Sequence, residues 1–353
     1  MSTQSAPKYD FEVGVYRPPS EGGSASLLLR ITRNCPWNRC EFCAMYKTEK
    51  FELRSPAEVK ADIDQVADIC RRLKDISWKL GHGGSIAREA AVELLNSEPE
   101  LNYNQGFVMV YNWLQSGART AFLQDANSLI MKTGQLVDIL QHLRKTFPTL
   151  NRVTSYARSK TIAQKKSAEL LAIREAGLDR VHIGLETGDD ELLKLINKGV
   201  TAEGHIKGGQ KAVQAGFQVS EYWMPGLGGK QRWQNHAVNT AKVLNEINPH
   251  YIRSRPFNPI PGTGMHDHMT DGSLQLLSAD EQLAELKLMM DNLDVTSKVC
   301  FDHAANYWHN RQGGLLFTHS YEGYKFPEEK PLVLELIDEG LQANNKRPDM
   351  MML

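Results

Sequence analysis

Residues 180–199 read RVHIGLETGDDELLKLINKG. The apolar run Val181–Leu185 predicts a strand, and about 189–197 predicts a helical segment. The same strand–turn–helix rhythm extends in both directions. Downstream come a helix at 202–215 that ends at Gly216, a strand Phe217–Met224, a helix at roughly 232–247 and a strand Tyr251–Arg255. Upstream lie a strand Arg152–Tyr156 and a helix running to Ala176, with Gly177 suited to its C-terminal cap. Before these, a strand Thr120–Leu123 precedes a helix near Gly134–Lys145 that buries Leu136, Ile139, Leu140 and Leu143 and stops at Pro148. The first strand is Ser26–Thr32, SLLLRIT. Six strands alternating with helices predict a parallel α/β sheet with right-handed crossovers.

The first long helix has a legible start. Ser55 suits the N-cap, Pro56 the first helical position, and Glu58 completes a capping box. Val59, Ile63, Val66, Cys70 and Leu73 share one face. Residues 76–117 read poorly, with a loop at Gly81–Gly84 and helical character over Ile86–Leu95. Past Gly264 the alternation stops. A second capping box, Ser278 with Glu281, opens a helix carrying Leu283, Leu286, Met290 and Leu293, and another helix is predicted at about 331–343. The expected organisation is an N-terminal arm (1–24) broken by Pro18, Pro19, Gly22 and Gly23, a core (25–265) and a C-terminal appendage (266–353).

The 353 residues are 41% hydrophobic, enough for a sizeable core. Lys plus Arg number 41 against 42 Asp plus Glu, so a net charge of −1 offers no global field for nucleic acid. The polar start MSTQSAPKYD is unlike a signal peptide and no apolar run is long enough to span a membrane, which predicts a cytoplasmic protein. Five cysteines, an odd number in a long chain, argue against a disulfide framework and toward metal or redox chemistry.

Cys35, Cys40 and Cys43 fall in NCPWNRCEFC, directly after the first strand. Three thiolates can hold three irons of a 4Fe–4S cluster and leave the fourth iron open. A structural zinc site is the alternative, but it wants a fourth ligand, and the only candidates are His82 and the distant Cys300 and His303. Cys70 reads as a core residue on its helix face, and Cys300 has no cysteine partner nearby.

The strand feeding a cysteine loop, with Phe42 just before the third cysteine, resembles the radical S-adenosylmethionine (SAM) superfamily. That family usually has three residues between its first two cysteines, where this chain has four, Pro36–Arg39. RVHIGLETGDDELLKLINKG resembles the fourth strand and helix of the branch holding the Elongator catalytic subunit, the methylthiotransferases and the oxygen-independent coproporphyrinogen oxidase. WMPGLGGK (223–230) and PIPGTGM (259–265) resemble the segments at the end of its fifth strand and after its sixth. In the tail, DHAANYWHN (302–310) followed by GGLLF resembles the end of a group of bacterial radical SAM proteins.

The resemblance implies a partial (βα)6 TIM-like barrel with a mostly helical C-terminal appendage. It also implies a 4Fe–4S cluster on Cys35, Cys40 and Cys43, and S-adenosylmethionine bound at the strand ends. The implied activity is reductive cleavage of SAM to a 5′-deoxyadenosyl radical, an oxidoreductase chemistry that abstracts hydrogen from a substrate. The implied SAM contacts are the Phe42 backbone at the adenine, Asp125 at the amino group in place of the family's usual Gly-Gly-Glu, Ser155, and Glu186 at the ribose or amino group. Lys198 would meet the carboxylate, and Glu221 or Tyr222 a ribose hydroxyl. Lys198 could equally be a solvated lysine at a helix end. Arg253 and Arg255, two apart on one strand, either point inward toward an anionic substrate or are surface charges. His303, Tyr307, Trp308 and His309 either close the barrel mouth or pack the tail against it.

No cobalamin, acetyltransferase or RNA-binding segment is evident, so the expected substrate is a small molecule rather than nucleic acid, with an electron donor such as flavodoxin or ferredoxin. The alternatives are a non-catalytic iron–sulfur or haem-binding module on the same fold, or a structural zinc protein. No catalytic side chain is identified by the sequence.

Overall fold

The structure, a computed structural model, describes residues 9–21, 26–310 and 312–344. Along the chain the strands are β1 (Ser26–Arg30), β2 (Thr32–Arg33), β3 (Glu52–Leu53), β4 (Thr120–Gln124), β5 (Arg152–Ala157), β6 (Arg180–Glu186), β7 (Gln218–Trp223), β8 (Tyr251–Ser254), β9 (Lys298–Cys300) and β10 (Tyr324–Lys325). The first six helices are α1 (Pro56–Lys79), α2 (Arg88–Ser97), α3 (Gln105–Gln115), α4 (Thr133–Thr146), α5 (Ser159–Gln164) and α6 (Ser167–Glu175). The remaining six are α7 (Asp190–Leu195), α8 (Ala202–Gln214), α9 (Gly229–Ile247), α10 (Gly264–Thr270), α11 (Ala279–Asn292) and α12 (Lys330–Asn344). Parallel strands alternating with helices make this an α/β fold with a helical C-terminal part. The described residues divide into two compact units, one within 1–36, 50–156 and 171–180, the other within 37–49, 157–170 and 181–353.

In the first unit β1 lies parallel to β4, from Ser26↔Thr120 to Arg30↔Gln124, and β4 lies parallel to β5. Leu27, Leu29, Ala121, Phe122 and Leu123 are completely buried, as strands covered on both faces require. The capping box of Ser55 and Glu58 opens α1, which buries Val59, Ile63, Val66, Ile69 and Leu73. The poorly legible stretch 76–117 proves helical: α1 continues to Lys79, and α2 and α3 follow. Trp113 on α3 is fully buried and donates its indole N–H to the Thr120 carbonyl at 2.8 Å.

Residues 9–21 of the expected arm are bound tightly to this unit. Gln124 accepts from the Gly14 N–H at 2.8 Å and donates to the carbonyls of Gly14 and Tyr16 at 2.9 and 2.8 Å. The Tyr9 hydroxyl donates to Asp68 at 2.6 Å. Residues 22–24 of that arm lie outside the described residues.

In the second unit β7 and β8 are parallel from Ser220↔Tyr251 to Trp223↔Ser254. Beyond the six expected strands, β9 adds in parallel to β8 and β10 pairs antiparallel with β9. Three residues of β9 are too short to show a period in sequence. Leu185, Trp223, Ile252 and Val299 turn one strand face toward α9, α11 and α12 and form the main core of this unit. Helix α5 approaches α8 so closely that a Cβ on Gly208 would sit 2.4 Å from the Ser159 carbonyl oxygen. Among the described residues no helix is long and apolar enough to cross a membrane.

Candidate functional site

The approach to the cysteine loop is set by Asp125, which ends the β4 segment in the first unit. Its carboxylate is 2% exposed. One oxygen, Oδ2, accepts from Arg30 Nε at 2.8 Å and from the Asn34 backbone N–H at 2.9 Å. Asn34 has a left-handed φ of 68° and donates its side-chain amide to the Lys50 carbonyl at 2.6 Å. Asp125 therefore fixes the direction of the chain one residue before Cys35. Its other oxygen, Oδ1, has no hydrogen-bond partner among the described residues. A Cβ on Gly14 would stand 2.5 Å from that oxygen.

Ser155, on β5 of the same unit, is fully buried. Its hydroxyl donates to the backbone carbonyls of Tyr156 and Leu123 at 3.0 and 3.3 Å, so its proton is already engaged.

Residues 37–49, which carry Cys40 and Cys43, belong to the second unit and are gripped from two sides. The Glu41 N–H donates to the Ile196 carbonyl, and the Glu41 carbonyl accepts from the Met265 N–H, both at 2.9 Å. Trp37 donates its indole N–H to the Asn197 carbonyl at 2.7 Å. The guanidinium of Arg158 lies 4.9 Å from the Trp37 ring centre, with Arg39 at 5.3 Å and Lys160 at 5.7 Å, within cation–π range. Gly199, at φ 74°, is required beneath this ring, because a Cβ there would fall 2.3 Å from it. The sequence stretches INKG and PGTGM thus do their work by holding the cysteine loop.

Glu186 ends β6 with φ 64°, a left-handed conformation that a non-glycine residue adopts at a cost. Its Oε1 accepts from Lys198 Nζ at 2.7 Å, and the two side chains are 11% and 10% exposed. A buried carboxylate needs such a partner. The Lys198 ammonium also lies 5.7 Å from the centre of the Phe42 ring. Lys198 is therefore not a solvated helix-end lysine. Gly184 makes room for the pair: its Cβ would lie 2.1 Å from Glu186 Oε1 and 3.0 Å from Lys198 Nζ.

The charges reach the loop. Burial pushes the Cys40 thiol above its ordinary pKa, while Lys198 pulls it down and Glu186 pushes it up. Glu221 on β7 is 1% exposed, and neither carboxyl oxygen has a hydrogen-bond partner among the described residues. Burial raises its pKa well above the carboxylate range, with Lys198 opposing and Glu186 reinforcing the shift. Burial of this kind favours the neutral acid. Tyr222, also buried, meets His182 edge-on at 5.5 Å.

Both alternatives for Arg253 give way to a third. It is neither exposed nor open to a ligand, but fully buried, 2.8 Å from Asp302 and donating to Ser220 Oγ and the Tyr321 carbonyl at 3.1 Å. Arg255 lies one residue past the end of β8 and is partly exposed. In the tail, Trp308 is buried edge-on against Phe317, whereas Tyr307 is 57% exposed. Cys70 is buried in the α1 face and Cys300 in β9, and burial pushes both thiols up to about 12.

Sequence reading missed two buried polar residues near these segments. His236 on α9 uses both ring nitrogens, toward Thr187 Oγ1 at 2.7 Å and the Met224 carbonyl at 3.0 Å, and burial lowers its pKa to about 4. Glu285 on α11 accepts from the Gly226 N–H at 2.5 Å, and burial raises it to about 8. Neither is marked out by its neighbours in the sequence. Only the packing of α9 and α11 shows otherwise.

Three partly exposed thiols within nine residues are the donor chemistry an iron–sulfur cluster takes. Among the described residues no three His, Cys, Asp or Glu side chains are already arranged to hold a metal ion.

The model of the radical SAM superfamily matches residues 134–238. The radical SAM superfamily is the family this chain resembles. The matched stretch includes Ser155, Glu186, Lys198 and Tyr222. The haem chaperone HemW of Bacillus subtilis (strain 168) is 21% identical over 213 residues, covering 56% of this chain and 55% of that protein. The chain thus spans about half the length of this curated relative. Among solved structures, an N-terminally truncated Elp3 from the archaeon Methanocaldococcus infernus is 15% identical with a TM-score of 0.45, covering 62% of this chain and 53% of that one. Methylornithine synthase is 16% identical with a TM-score of 0.44, covering 77% and 65%.

Proposed function

We propose that this protein is a radical SAM enzyme that abstracts hydrogen from a small-molecule substrate. Cys35, Cys40 and Cys43 would hold a 4Fe–4S cluster. Bound together, cluster and SAM supply a one-electron cleavage of the sulfonium and hence a 5′-deoxyadenosyl radical.

The observation that carries this reading is the buried Glu186–Lys198 pair beside Phe42 and near Cys40. The methionyl end of SAM is a zwitterion, and the pair offers one charge of each sign in a site shielded from water, where charges act most strongly. Lys198 would take the carboxylate and Glu186 the amino group or ribose. Tyr222 would add a hydroxyl and Phe42 its backbone. In the other unit, Asp125 would hold the chain before Cys35, and Ser155 would brace the β4–β5 backbone. An electron donor such as flavodoxin or ferredoxin would supply the electron.

The test is anaerobic reconstitution and reduction, followed by chromatography for 5′-deoxyadenosine in the presence of cell extract. Product above a Cys43→Ala control supports the reading, and none in a cluster-loaded protein sinks it. The likeness to a haem chaperone favours one second reading, a haem-binding module without turnover. Haem titration followed by optical absorbance, together with absence of 5′-deoxyadenosine, would select it.

A further inference from the structure

The segment DHAANYWHN has no part in the cofactor site just proposed, yet it is built into the second unit with unusual care. Asn306 is completely buried and acts as its hub. Its Oδ1 accepts from the Ser254 hydroxyl at 2.8 Å, and its Nδ2 donates to the Ser254 carbonyl at 2.9 Å and the His303 carbonyl at 3.1 Å. Its own carbonyl faces His319 Nε2 at 3.1 Å. This one residue thus ties together the end of β8, the turn after β9 and the irregular stretch near residue 319.

The ties dictate which ring atoms remain. His303 Nδ1 accepts from the Ala305 N–H at 3.1 Å, so the neutral ring carries its proton on Nε2. His319 donates through Nε2, which leaves Nδ1 bare. Arg255 follows Ser254 directly. All three side chains are partly exposed. The nearby carboxylate, Asp302, is spent on the buried Arg253. Burial opposes protonation of His303 most, Arg255 and His319 add to that, and Asp302 favours it. The fold has gathered three groups capable of positive charge, with no free carboxylate among them in the described ion pairs. Like charges so placed repel, and a bound anion would relieve that. The site sits just past the C-terminal ends of parallel strands, where α/β folds place their ligands.

We propose that Arg255, His303 and His319 form a subsite for an anionic group, carboxylate or phosphate, of the substrate. The proposal rests on the reading that the protein acts on a small molecule, but not on cluster or SAM chemistry. The Arg255 guanidinium is the fork that grips two oxygens. His303 donates from Nε2, and His319 adds a second charge once protonated. Asn306 is a positioning residue: its side chain holds the His303 backbone and its carbonyl holds the His319 ring.

The experiment uses the full chain without added cofactor. The ring protons of His303 and His319, assigned with His303→Asn and His319→Asn variants, are followed by NMR across pH in chloride, inorganic phosphate and acetate. The expected result is a rise of about half a pH unit or more in the His303 midpoint with one of the two oxyanions. Phosphate and acetate arms separate the two substrate chemistries. Arg255→Gln should weaken that oxyanion roughly tenfold or more. His319→Gln, which removes less from the fold, should weaken it by a smaller factor. No midpoint change in either oxyanion up to tens of millimolar overturns the proposal, as does an equal change in Arg255→Gln. The result leaves SAM cleavage untouched, so the two readings fail separately.

Discussion

Asp125 and Glu186 are both buried carboxylates just past or at the end of a parallel strand, yet they are held in different ways. Asp125 draws its cation from a neighbouring strand, Arg30 of β1, and shares the same oxygen with the Asn34 N–H. Glu186 draws its cation from the turn after the helix that follows it, Lys198, through a single contact at 2.7 Å. The first arrangement uses charge to aim a backbone. The second keeps a charge pair ready beside the loop. Both depend on a glycine that leaves space, Gly14 for Asp125 and Gly184 for Glu186.

The largest expected effect comes from the cysteine loop that both carboxylates are proposed to serve. Reconstituted protein should carry about four irons and four sulfides per chain. Cys35→Ala, Cys40→Ala and Cys43→Ala should each lose them, whereas Cys70→Ala and Cys300→Ala should retain them, as iron and sulfide assays will show. Full cluster content in the three loop variants would remove the common purpose.

The next effect separates the two glycines. Gly184→Ala places a methyl 2.1 Å from Glu186 Oε1 and must break the ion pair or shift the strand. A loss of about 1–3 kcal/mol is expected in urea unfolding, as for other overpacked interiors. Gly14→Ala meets Asp125 Oδ1 at 2.5 Å, an oxygen that makes no described hydrogen bond, so its loss should be smaller. Equal losses would show that the two carboxylates are equally rigid.

Exchange of the carboxylates themselves sharpens the contrast. In cluster-loaded protein, Glu186→Gln should weaken SAM binding roughly tenfold, the cost of replacing a charged contact by a neutral one. Asp125→Asn should weaken it less and instead loosen the chain before Cys35, read as faster cluster loss in chelator. If equilibrium dialysis gives unchanged SAM affinity in a folded, loaded Glu186→Gln, the pair is structural.

Glu285 is a third buried carboxyl, with a backbone N–H as its described hydrogen-bond donor, and it predicts the smallest effect. Burial raises its pKa to about 8 from 4.5. The folded protein therefore binds a proton that the unfolded chain has released between those values. Its contribution to stability is complete below about 4.5, declines as pH rises, and is gone above about 8. Glu285→Gln, which keeps an acceptor for the Gly226 N–H, should flatten that part of the stability–pH curve. An unaltered slope would show that Glu285 is charged throughout.

Much of the architecture was legible because it is written in local periodicity. SLLLRIT, the two capping boxes and the apolar faces of α1 and α4 each specify an element without reference to the rest of the chain. The stretch from 76 to 117 was obscure because its helices are short and carry exposed apolar residues, such as Trp78 and Val108, that blur the period. Residues 298–300 were too few to declare a strand until Val299 packed beside Ile252.

The candidate site divides along the same line. The sequence by itself determined which donors exist: three cysteines in one loop, a glutamate at the end of a strand, a lysine twelve residues later. Those are matters of covalent spacing, and a resemblance to one family could be read from them. Only the tertiary structure decided what each donor touches. It put Lys198 on Glu186 rather than in water, spent Arg253 on Asp302, engaged the proton of Ser155 with backbone, and left both oxygens of Glu221 without a described partner. Burial and pairing depend on elements far apart in the chain, and the free energy of a charge is set by those surroundings rather than by its sequence neighbours.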